Sequence, residues 1–234
     1  MRRVLAVGAH PDDVELGCGA TLLAHAAAGD AVTVLVMTGG ENGPVSAGAA
    51  DEQTRLRRRE QEAAARVLGA RLLWGGLTDC QVAADAAAVA VVERAIAAVA
   101  ADVVYVHAPE DSHQDHRAVA AVTVSAARRL SRVVHYQSPS SLGFAPSVFV
   151  DVTGFLSGKL AALREHASQV AGSAMVEPDA VVAAARYWGS QARVGYAEAF
   201  APTRLVLDLA PADRPFAAPP AEELTALQQL LLPR

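Results

Sequence analysis

Side chains able to bind a metal or carry a proton are concentrated near the start of the chain: His10, Asp12, Asp13 and Glu15. They follow the apolar run 4–7, which is typical of a buried parallel strand, and they precede an Ala- and Leu-rich stretch typical of a helix. In open α/β sheets, ligands bind at the carboxyl ends of the strands. The turn therefore predicts a functional site. A helix N-cap is the simpler alternative, but it requires one carboxylate and no histidine.

A second polar cluster has the same position relative to another predicted strand. The run 103–106 is apolar, and the loop after it carries His113, Asp115 and His116 where a helix is expected to begin. Because both clusters follow strands of one sheet, we expect them to lie at the same sheet edge. Two His and one carboxylate, with water completing the shell, commonly hold catalytic zinc. The two clusters together therefore predict a zinc site, with an exposed, charged helix start as the plain alternative for the second one.

The elements that position these clusters alternate between strands and helices. Further apolar or β-branched runs predict strands at residues 31–37, 71–74, 132–136 and 148–152. Helices of ten or more residues separate most of them, which predicts an α/β fold, a Rossmann-like three-layer αβα sandwich with a mostly parallel sheet. Helix 86–100 has almost no charge and is expected to be largely buried. The run 205–208 is interpreted as a last edge strand.

The chain shows no internal repeat and no clear domain boundary. We interpret residues 1–210 as a single α/β domain, and residues 211–234 as a proline-rich linker followed by a short C-terminal helix. The apolar segment 224–232 of that helix is expected to make a subunit contact, so a homo-oligomer is predicted.

The composition of the chain excludes several classes of partner. The net charge is −5 and there is no basic block, which argues against nucleic acid, and the Arg-rich run 55–59 is interpreted as a solvated helix face. Two cysteines are too few for a disulfide framework. No apolar span is long enough to cross a membrane, and no signal-peptide pattern precedes the first strand. We expect a cytoplasmic protein without a membrane partner.

The two clusters resemble those of the PIG-L/LmbE-type zinc-dependent N-acetylglucosaminyl deacetylases. The sequence Ala-His-Pro-Asp-Asp at 9–13, followed by His-Gln-Asp-His at 113–116, carries the resemblance. Similar stretches also occur at 57–60 with 68–69, at 159–169 and at 196–200, so the resemblance covers roughly residues 3–208. Gln114 stands where the family usually has Pro. It leaves all charged groups in place, so we expect a change in loop stiffness rather than in chemistry.

The resemblance implies a metal site and its base. His10, Asp13 and His116 are the implied ligands of one Zn²⁺ per chain, although other divalent metals also suit such ligands. Asp12 is the implied general base on a zinc-bound water, whose pKa zinc lowers toward about 7.

The resemblance also implies roles for the surrounding side chains. His113 is expected to stabilise the oxyanion or to protonate the departing amine, and Asp115 to orient His113 and raise its pKa. Tyr196 is a candidate oxyanion donor, with a half-buried core tyrosine as the alternative. Arg57 and Asp79 match positions that contact sugar hydroxyls, although either can equally form a surface salt bridge.

The predicted function is hydrolysis of the acetamide of an N-acetylglucosamine-like amino sugar or its conjugate to free amine and acetate. Two alternatives stay open. A non-haem Fe(II) enzyme can use the same ligands, but it leaves Asp12 and His113 without a task. A non-catalytic sugar-binding module does not require Asp12 and Asp13 side by side.

Overall fold

The computed structural model describes residues 1–42, 50–170 and 177–207. Its strands are β1 (Arg3–Gly8), β2 (Ala31–Thr38), β3 (Arg71–Leu77), β4 (Val103–His107), β5 (Arg132–Tyr136), β6 (Val148–Asp151) and β7 (Ala197–Leu205). Its helices are α1 (Asp13–Ala27), α2 (Ala50–Leu68), α3 (Ala86–Val99), α4 (Gln114–Ala126), α5 (Leu156–Arg164), α6 (Ala167–Val170) and α7 (Pro178–Ala192).

The seven described strands form one sheet in the order β3-β2-β1-β4-β5-β7-β6. Neighbouring strands from β3 to β5 pair in parallel, whereas β7 pairs antiparallel with both β5 and β6. Side chains of β1 alternate between two cores: Leu5 packs with Val92 of α3, and Val4 packs with Leu22 of α1. Helices therefore cover both faces, which confirms the predicted three-layer α/β fold with a mostly parallel sheet.

Helix α3 is less buried than its lack of charge predicts. Its buried positions form one face, made of Ala88, Val92, Ala95 and Val99. The remaining positions are half-buried or exposed. This outer face carries Glu93 and Arg94 and is otherwise rich in alanine, whose small apolar area can stay in contact with solvent at small cost. The expectation of a largely buried helix is wrong for this reason.

The prediction of an edge strand at 205–208 is also wrong for residues 205–207, and Asp208 lies outside the described residues. The last described strand, β7, starts at Ala197 and ends at Leu205, and it is hydrogen-bonded on both sides. Val206 and Leu207 follow it and are exposed. Pairing with two neighbours outweighs the weak strand preference of the Ala-Glu-Ala stretch with which β7 begins.

The predicted linker and helix at 211–234 lie outside the described residues. The domain boundary, the subunit contact at 224–232 and the cytoplasmic location stay predictions. None of the helices in the described part of the chain is long and apolar enough to cross a membrane.

Helix α1 is interrupted at Cys18, whose φ and ψ of −146° and 16° are not helical. The break frees backbone groups on both sides. The Leu16 carbonyl accepts a hydrogen bond from Lys159 Nζ at 2.6 Å, and the N–H groups of residues 20 and 21 donate to the Glu198 carboxylate at 3.2 and 2.7 Å. Lys159 and Glu198 also contact each other at 2.6 Å. This buried ion pair therefore satisfies both ends of the break.

Candidate metal and active site

The two polar clusters meet at the carboxyl edge of the sheet because β1 and β4 are neighbours. The loop after β1 carries His10, and the start of α4, which follows β4, carries His113 and His116. The ring centroid of His10 lies 4.7 Å from that of His113 and 5.4 Å from that of His116. The rings of His113 and His116 stack at 4.7 Å. The structure therefore confirms that the two clusters lie at the same edge of the sheet.

The three side chains predicted as metal ligands are buried and in mutual contact. His10 Nδ1 lies 3.5 Å from Asp13 Oδ2, and His116 Nε2 lies 3.3 Å from Asp13 Oδ1. The His10 backbone N–H also donates to Asp13 Oδ2 at 2.7 Å, which orients that carboxylate. Imidazole nitrogens with one carboxylate are a donor set that suits zinc and other divalent transition metals.

Within the described residues, three overlapping groups bring potential ligand atoms within 4.8 Å of one another. They are His10, His113 and His116; Asp13, His107 and His116; and His10, Asp79 and Asp115. His10 and His116 each belong to two of these groups. The donors therefore converge on one small region, and the residues present fit a bound divalent cation.

The carboxylates dominate the ionisation of this region. Burial by itself lowers the pKa of His10, but hydrogen bonds with Asp115, Asp13 and Asp79 outweigh it and raise that pKa to about 12. Burial likewise opposes ionisation of Asp13, yet His116 and His107 hold its pKa well below the usual range. The Asp13 carboxylate is thus ionised at neutral pH, as a metal ligand must be.

Asp12 has a different environment from Asp13. Its backbone is left-handed, with φ of 98°, and its side chain makes no capping hydrogen bond to α1. Its carboxylate Oδ2 lies 3.7 Å from Arg57 Nη2. Burial raises the pKa of Asp12 to about 6 and Arg57 opposes this rise. The simple N-cap interpretation therefore fails for this side chain, and its carboxylate stays outside the contacts that tie Asp13 to the histidines.

The expected contact between Asp115 and His113 is present, but the Asp115 backbone makes it rather than the carboxylate. The Asp115 carboxylate contacts His10 Nε2 at 3.2 Å and accepts the Cys80 N–H at 2.7 Å. It is the backbone N–H of Asp115 that reaches His113, donating to Nδ1 at 3.2 Å. The pKa of His113 is lowered rather than raised, because burial and the nearby His10 and His116 outweigh the charge of Asp115. Since Nδ1 accepts a hydrogen bond, the ring proton of neutral His113 is on Nε2.

Two residues predicted to bind the sugar are engaged with the protein itself. Arg57 is 4% exposed and donates from Nη2 to the Pro11 carbonyl at 2.7 Å. Asp79 is 3% exposed, and its Oδ1 lies 3.0 Å from His10 Nε2. Both therefore lie in the cluster and shape it, and sugar contacts by either residue stay a prediction.

The contacts described for Tyr196 are with residues outside the cluster. It is half-buried just before β7, where its backbone N–H donates to Thr153 Oγ1 at 3.1 Å and the Arg186 guanidinium lies 5.8 Å from the centre of its ring. The role of Tyr196 as an oxyanion donor stays a prediction, with a half-buried structural tyrosine as its alternative.

Sequence reasoning missed two residues that support the histidines. Asp111 Oδ2 lies 3.2 Å from His116 Nδ1, and its Oδ1 accepts the His113 N–H at 2.8 Å. His107, the last residue of β4, is fully buried with Nε2 3.1 Å from Asp13 Oδ2. His107 ends the strand and Asp111 lies in the polar loop between it and His113, so their position at the end of a strand was an available signal. The pattern carried no information on which of the loop residues face inward.

A buried polar network lies behind Asp12. The Asp12 N–H donates to Gln61 Oε1 at 3.1 Å, and Gln61 Nε2 donates to Glu15 Oε1 at 2.7 Å. Glu15 Oε2 then lies 3.6 Å from His166 Nε2. Glu15, Gln61 and His166 are fully buried. Helix α1, helix α2 and the segment before α6 therefore cooperate to place the backbone of Asp12.

Comparison with known proteins shows the family to which this chain belongs. The family model described as PIG-L, GlcNAc-PI de-N-acetylase, matches residues 5–127, which is more than half of the chain. The chain belongs to the PIG-L family. The match includes His10, Asp13, His116 and Asp12, whereas Tyr196 lies beyond it. The matched region thus contains the predicted metal ligands and the predicted base.

Individual relatives agree with this membership. The chain is 36% identical over an alignment of 179 residues to the uncharacterized deacetylase YaiS of Escherichia coli K12, and the match covers 70% of this chain and 90% of that protein. The crystal structure of the conserved protein TT1542 from Thermus thermophilus has a TM-score of 0.79 and 30% identity, covering 92% of this chain and all of that one. The 4-carboxy-2-hydroxymuconate hydratase GalB of Pseudomonas putida KT2440 is similar in fold alone, with a TM-score of 0.78 at 22% identity over 90% of this chain and all of that one.

Proposed function

We propose that this protein is a zinc-dependent N-deacetylase that hydrolyses the acetamide of an N-acetylglucosamine-like amino sugar or its conjugate to free amine and acetate. The observation that carries the proposal is the separation of two adjacent carboxylates. Asp13 contacts both His10 and His116, whereas Asp12 turns away from them toward Arg57. Membership of the PIG-L family, whose model is described as a GlcNAc-PI de-N-acetylase, supports the choice of an acetylated amino sugar.

His10, Asp13 and His116 would hold the metal. When bound, zinc supplies Lewis acidity and lowers the pKa of a coordinated water toward about 7. Asp111 and the His10 backbone N–H orient these ligands, because they contact His116 Nδ1 and Asp13 Oδ2 at 3.2 and 2.7 Å. Such supporting contacts fix the tautomer and the direction of a ligating group.

The protein's own groups then carry the proton transfers. Amide hydrolysis requires a base for the attacking water and an acid for the departing amine. Asp12 takes the proton of the water, since its carboxylate is close to the ligands but not committed to them. His113 presents its Nε2–H to the carbonyl oxygen or to the amine, because its Nδ1 is occupied by the Asp115 N–H. Asp115 therefore positions His113 through its backbone and His10 through its carboxylate.

The first experiment measures bound metal and amine release from N-acetylglucosamine in the same preparations. We expect Asp12→Asn to retain zinc and lose at least about 100-fold in turnover, and His116→Ala to lose zinc. His25→Gln is the matched histidine control, because His25 contacts Asp30 and Tyr105 rather than the cluster. It should leave metal content and turnover unchanged.

The same experiment separates the alternatives. A protein that binds iron, releases no amine with zinc and consumes oxygen with Fe(II) would be the non-haem iron enzyme. A protein that binds N-acetylglucosamine but neither binds metal nor releases amine would be the sugar-binding module. Either result would overturn the deacetylase proposal.

A further inference from the structure

A cavity of about 330 Å³ lies beside the proposed active site. Its walls come from α1, the loop after β5, α5, α7 and β7, and they include Leu16, Ser138, Val181 and Trp188. The volume is at the lower end of the range of small-molecule sites. It is large enough for one compact group.

The wall formed by α7 is apolar and lined mainly by small side chains. Val181, Ala184, Ala185 and Trp188 follow the i, i+3, i+4, i+7 spacing that places residues on one helix face. Val181 and Ala185 are buried, whereas Ala184 is exposed and lies at the mouth. Alanines at these positions leave room that larger side chains would fill.

The charged groups in the wall are already used. Lys159 and Glu198 bind each other and the broken backbone of α1, as described above. Trp188 Nε1 donates to Gln137 Oε1 at 3.2 Å. A ligand in this cavity therefore meets an apolar wall and polar groups that are largely satisfied by the protein, which favours an apolar ligand group.

The cavity adjoins the metal cluster at Ser138. The Ser138 hydroxyl lies 3.5 Å from His116 Nδ1 and donates to Asp111, while the same residue lines the cavity. Leu16, which also lines the cavity, follows Asp13 by one helical turn. The cavity and the cluster therefore share Ser138 as a wall, and the inference below is that one molecule reaches both, with its amide at the cluster and another part in the cavity.

We propose that this cavity binds a compact apolar group of the amino-sugar substrate, so that the preferred substrate is an apolar conjugate rather than the free sugar. This inference rests on the proposed function, because it takes the amide that is hydrolysed, an acetamide or one with a longer acyl chain, to be at the metal cluster. The apolar group is the aglycone or the N-acyl chain. The chemistry of recognition is the same for both, and the test distinguishes them.

The test compares the KM for N-acetylglucosamine, cyclohexyl N-acetylglucosaminide and N-hexanoylglucosamine. We expect one of the two apolar compounds to have a KM roughly tenfold below that of N-acetylglucosamine. Ala184→Leu should remove this preference by filling the mouth, with the KM for N-acetylglucosamine unchanged. Ala183→Leu is the matched control, because Ala183 is exposed on the same helix and is not part of the cavity wall. It should keep the preference.

The compound that loses its advantage identifies the group that occupies the cavity. Equal KM values for all three compounds in the parent protein would overturn the inference. So would loss of the preference in Ala183→Leu as large as in Ala184→Leu.

A binding measurement keeps the inference separate from the proposed function. Trp188 lines the cavity, and the only other tryptophan of the chain is Trp74. In a Trp74→Phe background, cyclohexyl glucoside, which has no acetamide, should shift the Trp188 fluorescence saturably, and Ala184→Leu should weaken this binding roughly tenfold. If no compound releases amine but this shift appears, the cavity assignment holds and the deacetylase proposal fails. If amine is released but no shift appears and the KM values are equal, the deacetylase proposal holds and the cavity assignment fails.

Discussion

The backbone N–H of Asp12 donates to the side-chain oxygen of Gln61 at 3.1 Å, across 49 residues of sequence. This bond fixes a residue whose φ of 98° is unfavourable for any side chain with a Cβ atom. Gln61 is in turn held by Glu15, at 2.7 Å. The proposed base is therefore positioned through its backbone by a glutamine of α2 that touches none of the proposed metal ligands.

Gln61→Met should lower turnover by between about 10- and 100-fold, because the carboxylate of Asp12 would no longer be held in one place. Bound zinc should be unchanged. The measurement is kcat together with metal content. Gln53→Met is the matched control, since Gln53 is also buried on α2 but bonds the Gly40 carbonyl. Equal effects of the two substitutions would show that Gln61 acts only through the stability of α2.

Asp12→Gly should abolish turnover, and so should Asp12→Ala. The free energy of unfolding of Asp12→Gly should nevertheless be higher than that of Asp12→Ala, by about 1 kcal/mol. Both variants lack the carboxylate, but only glycine removes the strain of the left-handed backbone. Denaturant unfolding of the metal-free forms measures this difference. Equal stabilities would show that the surrounding structure does not hold Asp12 against its preference.

The positions of the proposed ligands could be predicted from the sequence, because each lies in the loop after an apolar run or in the first turn of the helix that follows, and strand ends of a parallel sheet share one edge. Gln61 could not be predicted. It is one polar residue on a helix rich in polar residues, and only the packing of α2 against α1 brings it to Asp12. The antiparallel position of β7 between β5 and β6 could not be predicted either, because the alanines and Glu198 at its start do not form a sequence pattern typical of a strand.

Asp111→Asn should weaken zinc binding by about 10- to 100-fold, because Asp111 orients His116 through Nδ1. Competition with a chelator measures the affinity. Asp179→Asn, an exposed position on α7, is the control and should bind zinc as the parent does. A normal affinity in Asp111→Asn would show that His116 is not a ligand, or that Ser138 and Ser140 orient it sufficiently.

The two cysteines should differ in their reaction with iodoacetamide. Cys18 is fully buried and should not react in the folded protein, whereas Cys80 is exposed. Burial and then the charge of Asp79 raise the pKa of the Cys80 thiol, so less thiolate is present at pH 8 than in a free cysteine, and its alkylation should speed up as the pH rises further.

Asp79→Asn removes that charge, lowers the pKa of Cys80 and should accelerate its alkylation at pH 8, as followed by mass spectrometry. An unchanged rate in this variant would mean that access, rather than charge, limits the reaction.

The ion pair that bridges the break in α1 joins the beginning of the chain to its last described strand. Glu198 is separated from the N–H groups that it binds by 178 and 177 residues. During synthesis, the second half of α1 therefore waits for its partner until β7 has emerged from the ribosome, and until then β5 and β6 also lack the strand that lies between them. In chains that terminate before β7, the edges of β5 and β6 that pair with it would be unpaired, and α1 beside the proposed active site would be incomplete. Such chains are expected to aggregate or to be degraded rather than to keep partial activity.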